Sequence, residues 1–586
     1  MSTSSVLSPE RRAGDIECLA SQQLDVLVVG GGITGAGIAL DAVTRGLSVG
    51  VVEAQDWAAG TSSRSSKLVH GGLRYLQMMD FALVHEALRE RALLLGHVAP
   101  HLVRPVPILY PLVHPVYERA YVGAGVALYD LMGMFSGQGR GLPLHRHLSR
   151  RKALQVAPGL RRGALAGAVL YYDAQVDDAR YVLEVVRTAA GYGAVPLSRA
   201  AVERFLMDGP RVVGATVRDA ETGERFDAHA RVTISATGVW TEETEALAGH
   251  ERAVRVRPSK GVHIVVPRTR LVSEVGLILR TDRSVLFVLP WGDHWVIGTT
   301  DTDWAYAKGR PLATIPDVDY ILAEVNTVLE TPLERADVEA VYAGLRPLVA
   351  GSGVVRGPGE GRRGEAGTAK ISREHAVGRP VPGLVVISGG KYTTYRVMAA
   401  DAVDAAVADG QFHALECRTA KVPLLGARGW QGAWEGRWGL ARGSSVPIGQ
   451  VERLLGRYGS LAAEVLATGA TGGGGAGGGG SISGSGGYLR AEVAYAVTHE
   501  GARHLDDVLT RRTRIAMETP DGGRACAPAV AEVMAPLLGW DAAVTERELG
   551  DFRQQGDLAD RAASEALDDA GAAELAAAVP TLLPLP

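Results

Sequence analysis

Sulfur is scarce in this 586-residue chain: three cysteines, Cys18, Cys417 and Cys526, stand far apart. With no CxxC pair and no clustered histidines, neither a disulfide framework nor a structural zinc site is expected, and a reducing cytosol fits. Long apolar runs are also missing. The stretch 121–129 stops at Asp130, well short of the roughly 18 residues that a membrane-spanning helix requires. The first twenty residues carry Glu10, Arg11, Arg12, Asp15 and Glu17 where a signal peptide would have an apolar core. Any membrane contact is therefore expected to be peripheral. Charge of one sign is absent as well, with a formal net charge of -4, which argues against nucleic acid as the main partner.

Glycine is what the chain has in excess, 74 residues in all. At this length two or three domains are expected. Residues 25–30, DVLVVG, predict a buried parallel strand, GGITGAGIALDAVTRG a helix opened by glycines, and LSVGVVE a second strand ending at Glu53. In this strand-turn-helix setting Gly30, Gly32 and Gly35 form the GxGxxG cradle of a dinucleotide site. The first glycine permits the tight turn, the second admits the pyrophosphate, and the third lets helix and strand pack closely. The helix N-terminus then faces the pyrophosphate, and Glu53 is placed to bind ribose hydroxyls. A glycine turn in any α/β protein is the plainer alternative, but the register of strand, helix and Glu53 favours nucleotide.

Two later strand-like runs end in glycine, RVTISATG at Gly238 and GLVVISGG at Gly389 and Gly390. They predict a nucleotide domain assembled discontinuously and favour FAD over NAD, because a flavin laid across the domain needs backbone contacts beyond the adenylate half. The stretch 61–76, TSSRSSKLVHGGLRYL, has neither helical nor strand periodicity. Its hydroxyls and glycines follow Glu53 closely enough to line the cofactor. Thr61, Ser62, Ser66 and Lys67 are assigned to it, with Gly71, Gly72 and the later Thr394.

The short apolar runs GVHIVVP, SVLFVLPW and HWVIGTTD predict an antiparallel sheet over the cofactor, and helical patterns follow residue 415. The expected division is a discontinuous FAD-binding domain at 22–100, 171–248 and 384–410, and a substrate-binding cap at 101–170 and 249–383. A helical C-terminal domain would span 411–560, with a flexible glycine-rich insertion at 468–487, and 561–586 would be a loosely held tail.

Together, GGGITGAGIALDAVTRGLSVGVVEAQDWAAGTSSRSSKLVHGGLRYL, KGVHIVVP, VIGTTDTD, GLRPL, SREH, SGGKYTTYR and HEGARHLDDVLTRRTRI resemble the FAD-dependent, membrane-associated glycerol-3-phosphate dehydrogenases, in family order from about residue 24 to 515. The resemblance implies an α/β fold: a Rossmann-like FAD domain of the glutathione-reductase or D-amino-acid-oxidase type, an α+β substrate domain and a helical C-terminal domain. It implies oxidation of sn-glycerol 3-phosphate to dihydroxyacetone phosphate, with electrons passed to membrane quinone by a cytoplasmic protein attached peripherally to the cytoplasmic membrane. A homodimer is compatible with this reading. The alternatives are an oxidase that uses oxygen and an FAD amine or amino-acid oxidase.

By resemblance Tyr75, Arg346, Arg373 and Lys391 belong to the substrate pocket. The chemistry demands cations there, since a phosphate dianion is a remote handle that holds the reacting carbon near the flavin and arginine offers a fork matched to phosphate oxygens. Arg346 and Lys391 are assigned to the reacting end, and Arg373, with Arg74 and Tyr75, to substrate binding. His70 and His263 are the candidate proton acceptors. His70 is preferred because it adjoins glycines, whereas His263 in GVHIVV equally fits a satisfied core side chain. Thr299, Thr300, Thr393 and Thr394 equally fit caps and turns.

Three departures from the family pattern stand out. Val262 occupies the place of an expected serine, so a polar contact near His263 is expected to be missing. Residues 351–369 form a glycine-rich basic stretch with the look of a mobile loop, and the tract 468–487 interrupts the C-terminal domain. The basic, leucine-containing segment 140–162 is the sequence's candidate for lipid contact.

Overall fold

The computed structural model describes residues 4–578 apart from 74, 76–78, 115, 135–141, 250–252, 282–284, 350–373, 472–479 and 566. Strand Leu24–Val29 is apolar at nearly every position because it is covered on both faces. It lies parallel between Val49–Val52 and Arg225–Ser235, with Val28 opposite both Val51 and Ile234. Among the described residues the first sheet has eight strands. Its main path runs His375–Val381, Leu384–Gly389, Arg225–Ser235, Leu24–Val29, Val49–Val52 and Val195–Leu197, with the hairpin Ala200–Asp208 and Arg211–Asp219 attached. The helices Ile33–Thr44, Asp178–Gly191 and Tyr395–Gly410 share a core against one face. Three neighbouring strands thus deliver Gly30, Gly238 and Gly389 to one edge, which is how glycines hundreds of residues apart meet.

The second sheet is mainly antiparallel and has ten strands among the described residues. Val256–Pro267 pairs with both His294–Gly298 and Ala340–Val349. Alternation sends Val262, Ile264 and Val266 into a core that includes Ile321 and Val325 of helix Ile315–Asn326, leaving His263 on the opposite face. Helices such as Ile448–Tyr458, Arg490–Glu500, Ala527–Leu538 and Ala542–Ser564 form the C-terminal region, with cores of its own.

Several expectations differ in detail. His375–Val381, expected in the cap, pairs antiparallel with Leu384–Gly389 in the first sheet. Gly167–Gln175 runs across the expected boundary at 170/171 and belongs to the second sheet. Within the tract 468–487, helix Ala462–Thr471 continues to 471, and Ile482 and Ser485 are buried, the Ser485 hydroxyl donating to the Ile482 carbonyl at 2.7 Å. The loosely held tail is partly a helix, Asp569–Ala577: Ala572 is buried and Asp569 pairs with the buried Lys260. The loop 351–369 lies outside the described residues. No described helix is long and apolar enough to cross a membrane, and the described residues hold no metal-binding cluster.

Candidate active site

A cavity of about 320 Å3 opens between the two sheets. Gly30, Gly32 and Glu53 line it beside Ala200, Ala201 and Val202, and it continues past Gly238, Gly389 and Gly390 to His70, Tyr75, His263, Arg346 and Lys391. Thr61, Ser62 and Ser66 form part of the wall. The glycines are there because side chains would not fit. A Cβ at Gly35 would fall 1.9 Å from the Gly30 carbonyl oxygen, and one at Gly30 would fall 2.6 Å from that of Ala236. Gly32 precedes helix Ile33–Thr44, whose Ile33 N–H donates to the Ser62 hydroxyl at 3.0 Å. Glu53 accepts from the N–H groups of Gly31 and Gln55 at 2.6 and 2.7 Å. Burial raises its pKa, and those two N–H groups oppose the rise. A glycine-floored cradle at a helix N-terminus, with a fixed carboxylate at the end of the second strand, fits a dinucleotide such as FAD.

At the other end the cations converge. Lys391 Nζ stands 3.7 Å from the centroid of the Tyr75 ring. Arg346 Nη2 donates to the Thr299 hydroxyl at 2.9 Å and the Thr300 carbonyl at 3.2 Å, and Nη1 lies 3.5 Å from Asp301. His263 is buried, stacked on Tyr342 with ring centroids 4.8 Å apart, and its Nε2 is 2.8 Å from Ser66 Oγ. Burial, reinforced by Arg346 and then Lys67, holds its pKa well below the ordinary imidazole value. His70 lies half-buried, edge-on to Phe287, and its N–H donates to the Thr393 hydroxyl at 3.1 Å.

Some assigned residues are not in this wall. Gly35 acts in helix-strand packing. Gly71 lies behind the cavity, its N–H donating to Tyr129 Oη at 2.8 Å. Gly72 is in a left-handed conformation, with φ 74°, and is packed against the Tyr75 ring. Lys67 turns away, its ammonium 2.9 Å from Asp178 and buried, and Thr394 is buried in the turn before helix Tyr395–Gly410. Arg74 and Arg373 lie outside the described residues. The contact expected to be lost at Val262 could not come from that position, because its side chain points into the opposite core and Ser66 serves His263 instead. Thr299 and Thr300 are more than turn residues, since they anchor Arg346. Arg64, Thr237 and Trp240, unassigned from the sequence, also line the cavity, as does Thr393, expected only as a cap or turn residue. The adjacency of Arg64 to the hydroxyl run was the available signal.

Fold and cavity together define a flavoprotein oxidoreductase: residues 25–396 match the family described as FAD dependent oxidoreductase, and residues 417–545 match the C-terminal domain of alpha-glycerophosphate oxidase. The chain is 50% identical over 548 residues to a glycerol-3-phosphate dehydrogenase of Mycobacterium leprae, covering 94% of this chain and 90% of the relative. It is 36% identical to the mitochondrial glycerol-3-phosphate dehydrogenase of Homo sapiens, covering 91% and 73%. The glycerol-3-phosphate dehydrogenase of Bacillus halodurans, solved with FAD, is 28% identical with a TM-score of 0.75, covering 96% of this chain and 99% of that one. The chain belongs to the glycerol-3-phosphate dehydrogenase family.

Proposed function

We propose that the protein oxidises sn-glycerol 3-phosphate to dihydroxyacetone phosphate and delivers the electrons to membrane quinone. The observation that carries this reading is the meeting of Lys391, Arg346, Tyr75 and His263 at one end of the dinucleotide cavity. Bound FAD supplies the hydride acceptor. Gly30, Gly32, Ser62 and Glu53 would hold its nucleotide half, and Gly238, Gly389 and Gly390 leave room for it against the backbone. Lys391 and Arg346 offset the substrate's negative charge and the charge that develops on its oxygen. Arg74 and Arg373 are the proposed further substrate contacts.

Of the two histidines, His263 is the better proton acceptor, which reverses the preference read from the sequence. Its burial keeps the ring neutral, and with the ring proton on Nδ1, Nε2 accepts from the Ser66 hydroxyl. The substrate hydroxyl proton then passes to Ser66 Oγ as the Ser66 proton passes to Nε2.

Quinone delivery requires a lipid-facing surface, and the apolar residues exposed around helix Tyr117–Met134 suit one better than segment 140–162. Val116, Tyr117, Tyr121 and Leu131 are 78%, 67%, 59% and 45% exposed, whereas in the basic segment Leu144 is 44% exposed but Leu160 is buried and Leu148 and Leu154 pack against the core beneath the second sheet. The same helix carries the buried Tyr129 that accepts from the Gly71 N–H behind the substrate end, so a lipid contact on its exposed side would sit on the helix that also reaches the cavity wall. An anaerobic visible spectrum before and after sn-glycerol 3-phosphate tests the donor, and reoxidation by a quinone analogue against air tests the acceptor. Bound flavin that does not bleach would sink the substrate assignment. Faster reoxidation by air would replace quinone with oxygen.

A further inference from the structure

On the other side of the Thr61–Lys67 loop lies a second cavity of about 330 Å3. Its walls come from residues 309–313, strand Ala340–Val349, residues 506–524 and helix Ala542–Ser564. Leu312, Val341, Met517 and Phe552 give it an apolar flank. The rest of the lining is rich in cations, most of which are already matched. Lys67 and Arg514 pair with Asp178 and Asp177, Arg199 and Arg511 with Asp507, Asp506 and Asp56, and Arg524 with Asp560 and Asp557.

Two guanidinium groups remain. The Arg64 guanidinium makes one hydrogen bond among the described residues, a 3.5 Å approach to the Ala343 carbonyl. Arg310 has a buried Nη1 with no hydrogen-bond partner among the described residues. Neither forms an ion pair there. Asp506 attracts both, but its carboxylate already accepts from Arg511 at 2.7 Å. Burial therefore pushes Arg64 down to about 10, with Arg511 and Arg310 adding repulsion. Two cations facing a partly apolar hollow are costly until an anion meets them.

We propose that this cavity binds a small organic phosphate dianion between Arg64 and Arg310, separately from the flavin cavity. Two guanidinium forks match the charge and the oxygens of a phosphate monoester, and the apolar flank accepts its carbon portion. Arg64 also lines the flavin cavity, so the two sites share one wall.

Tungstate soaked into crystals of the FAD-loaded protein locates the site through its anomalous signal, and calorimetric titration with inorganic phosphate and phenyl phosphate measures binding in solution. The expected result is a tungstate peak between Arg64 and Arg310 that is lost in Arg310→Ala, with phenyl phosphate binding more tightly than phosphate. Removing one charge-assisted contact should weaken phenyl phosphate at this site roughly tenfold or more. A peak beside Lys391 alone, a peak at the second cavity with no heat in solution, or unchanged titration of Arg310→Ala would each overturn the assignment. Normal FAD content and flavin bleaching in Arg310→Ala check that the variant is folded.

Discussion

The Ser66 hydroxyl lies 2.8 Å from His263 Nε2, and the imidazole it touches is held neutral by burial. Its pKa is lowered, so the ring is ready to accept a proton throughout the neutral range and becomes charged only well below the usual imidazole value. Flavin reduction should therefore show no inflection from His263 between about pH 6 and 8. His263→Asn and Ser66→Ala should each slow reduction on the order of a hundredfold or more, measured by anaerobic stopped-flow absorbance. A reduction rate unchanged in both variants would remove the relay.

Arg346→Ala and Lys391→Ala should keep flavin bound while slowing its reduction by roughly 10²–10³. The ratio of flavin to protein absorbance checks the first half, and single-turnover rates check the second. Near-normal rates in both would mean that the reacting end lies elsewhere.

Gly35→Ala should yield protein without FAD. The added methyl would sit 1.9 Å from the Gly30 carbonyl oxygen, a clash between backbone and Cβ that no rotamer relieves. Retention of the flavin spectrum after gel filtration would contradict this.

His504 bridges Glu221, in the turn after strand Arg211–Asp219 of the first sheet, and Glu548 of helix Ala542–Ser564 at 3.0 and 2.8 Å. Burial opposes its charge, but donating hydrogen bonds to Glu221 and Glu548 raises its pKa to about 9. A raised pKa means that the folded state binds the proton more tightly than the unfolded one. This contribution is complete below the ordinary value near 6.5 and is lost as pH rises through about 9. The shift corresponds to roughly 3 kcal/mol. Thermal melts from pH 6 to 10 should show a steeper alkaline loss in wild type than in His504→Gln.

The glycine cradle was legible because each glycine answers a local demand: a turn at Gly30, close packing at Gly35. The pairing of strand Val256–Pro267 was legible only as a sheet. Whether His263 faced the core or the cavity depended on which face alternation sent inward, and that is fixed by helix Ile315–Asn326 lying over Val262 and Ile264. Lys67 stands in the hydroxyl run but turns to Asp178, a partner 111 residues away that local sequence does not announce. The ordering of residues 480–487 was likewise illegible from composition, because a buried Ser485 does the folding that glycine content hides.

The ion pairs between Asp56 and Arg511 and Arg512, between Asp178 and Arg514, and between Arg180 and Glu500 all join the nucleotide fold to residues beyond 490. Deleting the C-terminal helices would take both arginines from Asp56 and Glu500 from Arg180, leaving Arg180 only the 3.4 Å approach to Glu184. The C-terminal helices thus complete the charge balance of the nucleotide fold, and a shortened product ending near residue 410 should be insoluble instead of merely inactive.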